Sequence, residues 1–200
     1  MEPATRYALL SQIILYVALV VCISIRPAGL GTDHGISYYG VYANTVFFYT
    51  LGLLGAAYFT LRVISHLQGQ AFKLLRLALH IYVPLVVGIV ITPYAAGALM
   101  DHLHDACGTA LFSLQLALSG WFIWQLRHVW WSIVLTSVEF IGGVLSAFYL
   151  GSTQGLLLQC QVLFQLAFGA LLVLSLQRLA LSAGLPSKSK QPRADESHTP

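Results

Sequence analysis

Charge is what this sequence has least of. Asp, Glu, Lys and Arg make up 8% of its 200 residues, where soluble domains carry about 25%. That shortage excludes a water-exposed globule, and no nucleic-acid partner is expected of so few charges. Period-two alternation of polar and apolar residues is also missing, which excludes the strands of a membrane barrel. The first half of the chain is not repeated in the second, so an inverted-repeat transporter gains no support. Cysteine is scarce: Cys22, Cys107 and Cys160 each fall toward the outer end of an apolar segment. An oxidising compartment would allow a disulfide there, but free packing cysteines are the expectation. No Ser-His-Asp order with a nucleophile elbow, no phosphate loop and no C-x-x-C-H haem attachment occurs.

What the chain has in quantity is oil. Hydrophobic residues make up 58% and the mean hydropathy is +0.77. About 20 apolar residues in helix cross the roughly 30 Å of bilayer hydrocarbon. Six such segments can be read, at 7–25, 45–64, 77–99, 106–126, 130–150 and 156–176. The fold class is therefore all-α, a polytopic integral membrane bundle of six transmembrane helices over residues 1–181. Residues 182–200, SAGLPSKSKQPRADESHTP, are polar and aperiodic and read as a disordered cytoplasmic tail; Lys188, Lys190 and Arg193 there are offset by Asp195 and Glu196. The first segment is longer than a signal-peptide core and lacks a small-x-small cleavage site after it, so it is expected to be a retained helix.

The positive-inside rule sets the expected orientation. With the N-terminus in the cytoplasm, Arg6, Arg62, Lys73, Arg76, Arg127, Arg178, Lys188, Lys190 and Arg193 share that side and Arg26 alone lies outside,. Both termini are then cytoplasmic, in a multi-pass protein of the cell membrane. Trp121, Trp124, Trp130 and Trp131 flank the turn at Arg127 and His128 as an interfacial anchor,. On the outer side, RPAGLGTDHGISYYGVYAN at 26–44 has the glycines and tyrosines of a folded surface piece rather than a tether.

Polar residues inside spans mark inward faces, because exposure to lipid is costly. Segment five aligns Ser132, Thr136, Glu139, Gly143 and Ser146; segment four His104, Gly108, Gln115 and Ser119; segment six Gln154, Gln161, Gln165 and Gly169; segment three His80, Pro84, Gly88 and Thr92. Glu139 is the one carboxylate expected near the midplane, with Gln115 and Gln165 as partners at similar depth. Together with His80 they form the expected intramembrane polar core. Glu139 is either interhelical glue or the proton site of a small transporter. His80 lies within reach of the cytoplasmic interface, and Pro84 and Pro93 should kink segment three.

The stretch MDHLHDACG at 100–108 concentrates metal-ligand chemistry where segment three ends and segment four begins. Asp33, His34, Asp101, His102, His104 and Asp105 are a candidate outer metal set, with zinc the possible cofactor. Helical spacing argues against it, since residues two apart point to nearly opposite sides. Asp101 or Asp105 would also suit a helix N-terminus. A polar helix lip is the simpler expectation. Haem b could recruit His66, His80, His104 and His128, but axial ligands need matched depth, and His66 and His128 are expected at the cytoplasmic ends.

Three phrases, GISYYGVYANTVFFYTLGLL at 35–54, HLHDACGTALF at 102–112 and GLLLQCQVLFQLAFGALLVLSLQRL at 155–179, together resemble the Frag1/DRAM/Sfk1 group of six-helix membrane proteins and related bacterial families. Tyr38 stands where that group's Ile-Ser-Asp/Glu pattern has an acid. The resemblance implies membrane-lipid organisation without a common catalytic site. The leading expectation is thus a non-enzymatic, lipid-interacting membrane protein whose partners are membrane lipids. The alternatives are a metal-dependent lipid hydrolase using His34, His102 or His104, and a proton-coupled transporter using Glu139.

Overall fold

The computed structural model describes residues 3–126, 129–150 and 155–184. Within them the chain forms six long apolar helices, each a candidate membrane span: α1 Pro3–Ile25, α2 Val46–His66, α3 Lys73–Ile91, α4 Ala98–Gln125, α5 Trp130–Tyr149 and α6 Leu157–Gly184. A 20-residue helix is about 30 Å long, so each can cross the hydrocarbon, α3 with the short 3₁₀ turn Gln70–Phe72 that precedes it,. Successive helices pack against one another, and α6 closes back onto α1. Arg127, His128, Gln154, Lys188, Lys190, Arg193, Asp195 and Glu196 lie outside the described residues, as does the expected tail beyond 184.

Small residues let the helix backbones approach where lipid supplies no hydrophobic drive between them. Along α1 and α2, Gly52 faces Ala18 and Gly55 faces Ile14. Ser11 Oγ donates to the carbonyl of Ala56 at 3.0 Å across the same seam. Between α5 and α6 the contact is tighter: a Cβ on Gly142 would lie 2.9 Å from the backbone nitrogen of Phe164. The polar face expected on the fifth helix is buried at Ser132, Glu139, Gly143 and Ser146.

The third and fourth helices differ from their expected bounds. Residues 77–99 do not form one helix; α3 ends at Ile91 and α4 starts at Ala98. Proline disfavours helical geometry in the residue before it, and Thr92, preceding Pro93, has φ −115° and ψ 67°. Pro93 thus terminates α3 instead of kinking it. Ala95 then takes a positive φ of 70° and Gly97 one of 118°, after which the chain re-enters helix. MDHLHDACG therefore lies wholly inside the first turns of α4, which starts ahead of the expected residue 106.

His80 corrects the expected polar core. The buried face of α3 is Leu75, Ala78, Leu79, Tyr82 and Val86, while His80 is exposed, its Nδ1 2.7 Å from the carbonyl of Arg76. Large apolar side chains set the interior face, and the imidazole bonds back to its own helix. The cysteines are free, with Cys22 and Cys160 buried and Cys107 half-buried, Cys107 packing against Gly88.

Candidate functional site

The 26–45 segment folds over one end of the bundle. Two 3₁₀ turns, Pro27–Gly31 and Gly35–Gly40, form its body. α6 holds it from below: Gln161 Oε1 accepts the Ile36 N–H at 2.8 Å, and Gln159 Nε2 donates to the Leu30 carbonyl at 2.8 Å. Gly35, at φ 58°, has Gln161 directly beside its Cα, so a side chain would be both strained and obstructed,. Thr45 Oγ1 donates to the Tyr39 carbonyl at 2.8 Å and closes the segment onto α2.

This cap places Ser37 against His104. Ser37 Oγ lies 2.8 Å from His104 Nε2, and His104 Nδ1 lies 2.6 Å from the carbonyl of Thr92. A carbonyl can accept but not donate, so Nδ1 carries a proton, and in the neutral ring Nε2 then accepts from the serine hydroxyl. The imidazole is buried and links three segments: the cap, the end of α3 and the start of α4. A cavity of about 70 Å³ adjoins the pair, lined among others by Ser37, His104, Tyr49, Tyr94, Val46 and Ile89.

Aromatic rings and one cation complete the cap. Arg26 Nε donates to the Tyr38 hydroxyl at 2.8 Å, and its guanidinium sits 3.5 Å from the centre of the Tyr42 ring, a cation–π distance. Burial raises Tyr38, but hydrogen bonds with Arg26 and Tyr42 and the guanidinium charge outweigh it and bring the phenol below its ordinary value. Its neighbour Tyr39 is pushed up to about 12 by burial, and its hydroxyl has no partner among the described residues. Tyr94 is likewise raised to about 12 by burial; the His34 ring lies 4.6 Å from its own.

The acids and histidines of the candidate metal set have separate duties. Asp101 Oδ1 accepts the Ala95 N–H at 2.7 Å and fixes the positive-φ turn before α4. His102 and Asp105 are exposed, on other sides of the helix from His104. Asp33 pairs with His34 at 3.5 Å, both about half exposed. Among the described residues no group of three or more His, Cys, Asp or Glu side chains gathers at metal-holding distance. Of the haem candidates, His66 stacks on Tyr7 at 5.4 Å at the other end of the bundle, far from the depth of His104.

A second polar cluster lies deeper. Ser119 Oγ donates to Glu139 Oε2 at 2.5 Å, linking α4 to α5. Glu139 is fully buried, and its Oε1 has no partner among the described residues. Gln115 and Gln165 pair with each other through reciprocal amide bonds of 2.9 and 3.1 Å. They were expected to partner Glu139. Two amides satisfy each other's donor and acceptor at once, whereas the serine hydroxyl one turn beyond Gln115 reaches the acid.

The inward direction of His104, Gln115, Glu139 and Gln165 was legible from spacing. Ser37 and Thr92 were not: nothing local marks a serine in a tyrosine-rich loop as the partner of a histidine 67 residues away. No family model, curated protein or solved structure matches this chain.

Proposed function

We propose that this six-helix membrane protein binds a lipid whose anionic headgroup sits at the cap. The observation that carries the reading is the Arg26 guanidinium held against Tyr38 and Tyr42, at the end of α1, one residue beyond the span. Among the described residues it is the single Lys or Arg of that end of the bundle. A guanidinium oriented by neighbours loses less freedom when it clamps a phosphate. Tyr38 and Ser37 are adjacent on one 3₁₀ turn, so the cation and the cavity beside His104 lie at the same end of the bundle. Exposed apolar residues such as Val46, Phe47 and Ile91 flank it and supply a path for acyl chains.

In the proposed orientation the cap is outside and both termini are cytoplasmic. Arg6, Arg62, Lys73, Arg76 and Arg178 lie on the helix ends away from the cap, which supports that direction. The membrane in question is proposed to be the cell membrane.

A photoactivatable phosphatidylglycerol, reconstituted with the protein in nanodiscs, tests this. Crosslinks are expected in the 26–49 and 89–104 segments and should drop at least several-fold in Arg26→Ala. Crosslinks spread evenly over the lipid-facing helices, unaffected by that substitution, would contradict a site at the cap.

A further inference from the structure

Ser37 and His104 do more than lipid binding requires. A hydroxyl donating to Nε2 at 2.8 Å, on an imidazole whose Nδ1 donates to a fixed carbonyl at 2.6 Å, is the relation of a nucleophile to an oriented base. Thr92 supplies the orienting group through its backbone, and it is itself anchored: its hydroxyl donates to the Gly88 carbonyl at 2.7 Å. The ring therefore cannot turn without giving up bonds at both nitrogens. Clasping the loop alone would not require a cavity, yet one adjoins the pair, and Tyr49 lines it together with them. Depth narrows the chemistry further. The pair lies where α2 begins and α3 ends, the level at which apolar spans give way to the polar cap. Ester carbonyls of membrane lipids occupy that boundary between hydrocarbon and headgroup region.

We propose that Ser37 and His104 are the nucleophile and general base of an acyl-transfer site that cleaves an ester-linked lipid; the substrate class rests on the lipid-binding reading above. Ser37 Oγ attacks the acyl carbonyl carbon as its proton passes to His104 Nε2, and the carbonyl π pair moves to oxygen. Collapse of this tetrahedral adduct breaks the ester C–O bond, and the departing alcohol takes the proton from Nε2. Water then adds to the acyl-serine, giving its proton to Nε2, and Ser37 leaves with that proton restored. The sum is ester plus water to carboxylic acid plus alcohol. Tyr49 lines the same cavity as Ser37, and in this proposal its hydroxyl is the donor to the developing oxyanion. The apolar lining by Val46 and Ile89 suits the first methylenes of the acyl chain.

The test uses full-length protein in phosphatidylglycerol nanodiscs and an alkyl fluorophosphonate, read by intact mass and peptide mapping. One phosphonyl group is expected on Ser37, none at that site in Ser37→Ala, and a rate lowered roughly 100-fold or more in His104→Ala, the scale of a lost general base. Gel filtration of each variant establishes that it is folded. A folded wild-type protein whose Ser37 stays unlabelled overturns the inference whatever the variants do, as does a His104→Ala rate within a few-fold of wild type. Lipid photolabelling of the cap with an unreactive Ser37 overturns catalysis and leaves lipid binding standing. A reactive Ser37 in a protein that takes up no phospholipid supports the nucleophile–base pair and overturns the lipid substrate.

Discussion

Imidazole 104 is held at both nitrogens, so its loss strands two partners at once. His104→Ala leaves the Thr92 carbonyl and the Ser37 hydroxyl to find new bonds in a largely buried site, at a cost of about 2–3 kcal/mol,. Thermal unfolding in detergent should show it as a clear drop in Tm. An unchanged Tm would mean that the cap is not tied to α4 through this ring. Glu139 gives the opposite expectation. Glu139→Gln keeps an acceptor for Ser119 and removes the risk of a buried charge, so stability should hold or rise. Ser119→Ala, which strips the acid of its donor, should cost about 1–3 kcal/mol; reversal of that order would contradict the hydrogen-bond assignment. These roles were partly legible in the sequence, because helical spacing turns His104, Gln115, Ser119 and Glu139 inward. Which of them pair was not, since Gln115, Ser119 and Gln165 offer similar groups at similar depth, and the choice is made by side-chain reach.

The cap tyrosines titrate in two directions. An unfolded tyrosine ionises near pH 10. Tyr39 and Tyr94, raised to about 12, favour the fold in their neutral form. That contribution is full below about pH 10 and is lost as the pH rises through about 12. Tyr38 lies below its ordinary value, so its contribution develops as the pH passes that folded value and is full above about pH 10. Tyrosinate absorbance should show an early phenol that moves later in Arg26→Ala; an identical titration in that variant would contradict the Arg26 contact.

At the scale of the elements, the turn between α3 and α4 is the most informative. The apolar run through 99 hides a break whose signals are Pro93 and Gly97, and hydropathy alone weighs neither. Ala95 within the turn occupies a left-handed conformation, which costs an L-residue about 1–2 kcal/mol. Ala95→Gly relieves that cost but adds backbone freedom to the unfolded chain. A net stabilisation of up to about 1 kcal/mol is expected, and a lower Tm would contradict the assigned turn. The α5–α6 seam makes a sharper demand. A Cβ at Gly142 would lie 2.9 Å from Phe164 N and 3.1 Å from Cys160 O, both backbone atoms, so Gly142→Ala must push the helices apart. About 1–3 kcal/mol is expected, against little or no loss for Gly120→Ala, where a Cβ meets open space. Equal effects at the two positions would contradict the close packing.

For the whole molecule, composition and segment length sufficed to show six spans, because crossing hydrocarbon leaves a sequence few alternatives to a long apolar helix. The cap was foreseen as folded from its glycines and tyrosines, but its attachments were not. They run from residues 30 and 36 to glutamines 159 and 161, a distance along the chain that local patterns do not span. The same attachments explain why that end of the bundle carries a structured polar surface. Native mass spectrometry of the protein released from mild detergent tests that surface most directly. The account predicts one anionic phospholipid class retained by the wild type and lost from Arg26→Ala, with the Trp-flanked end unaltered. Release of a lipid-free protein that rebinds no anionic phospholipid would contradict it.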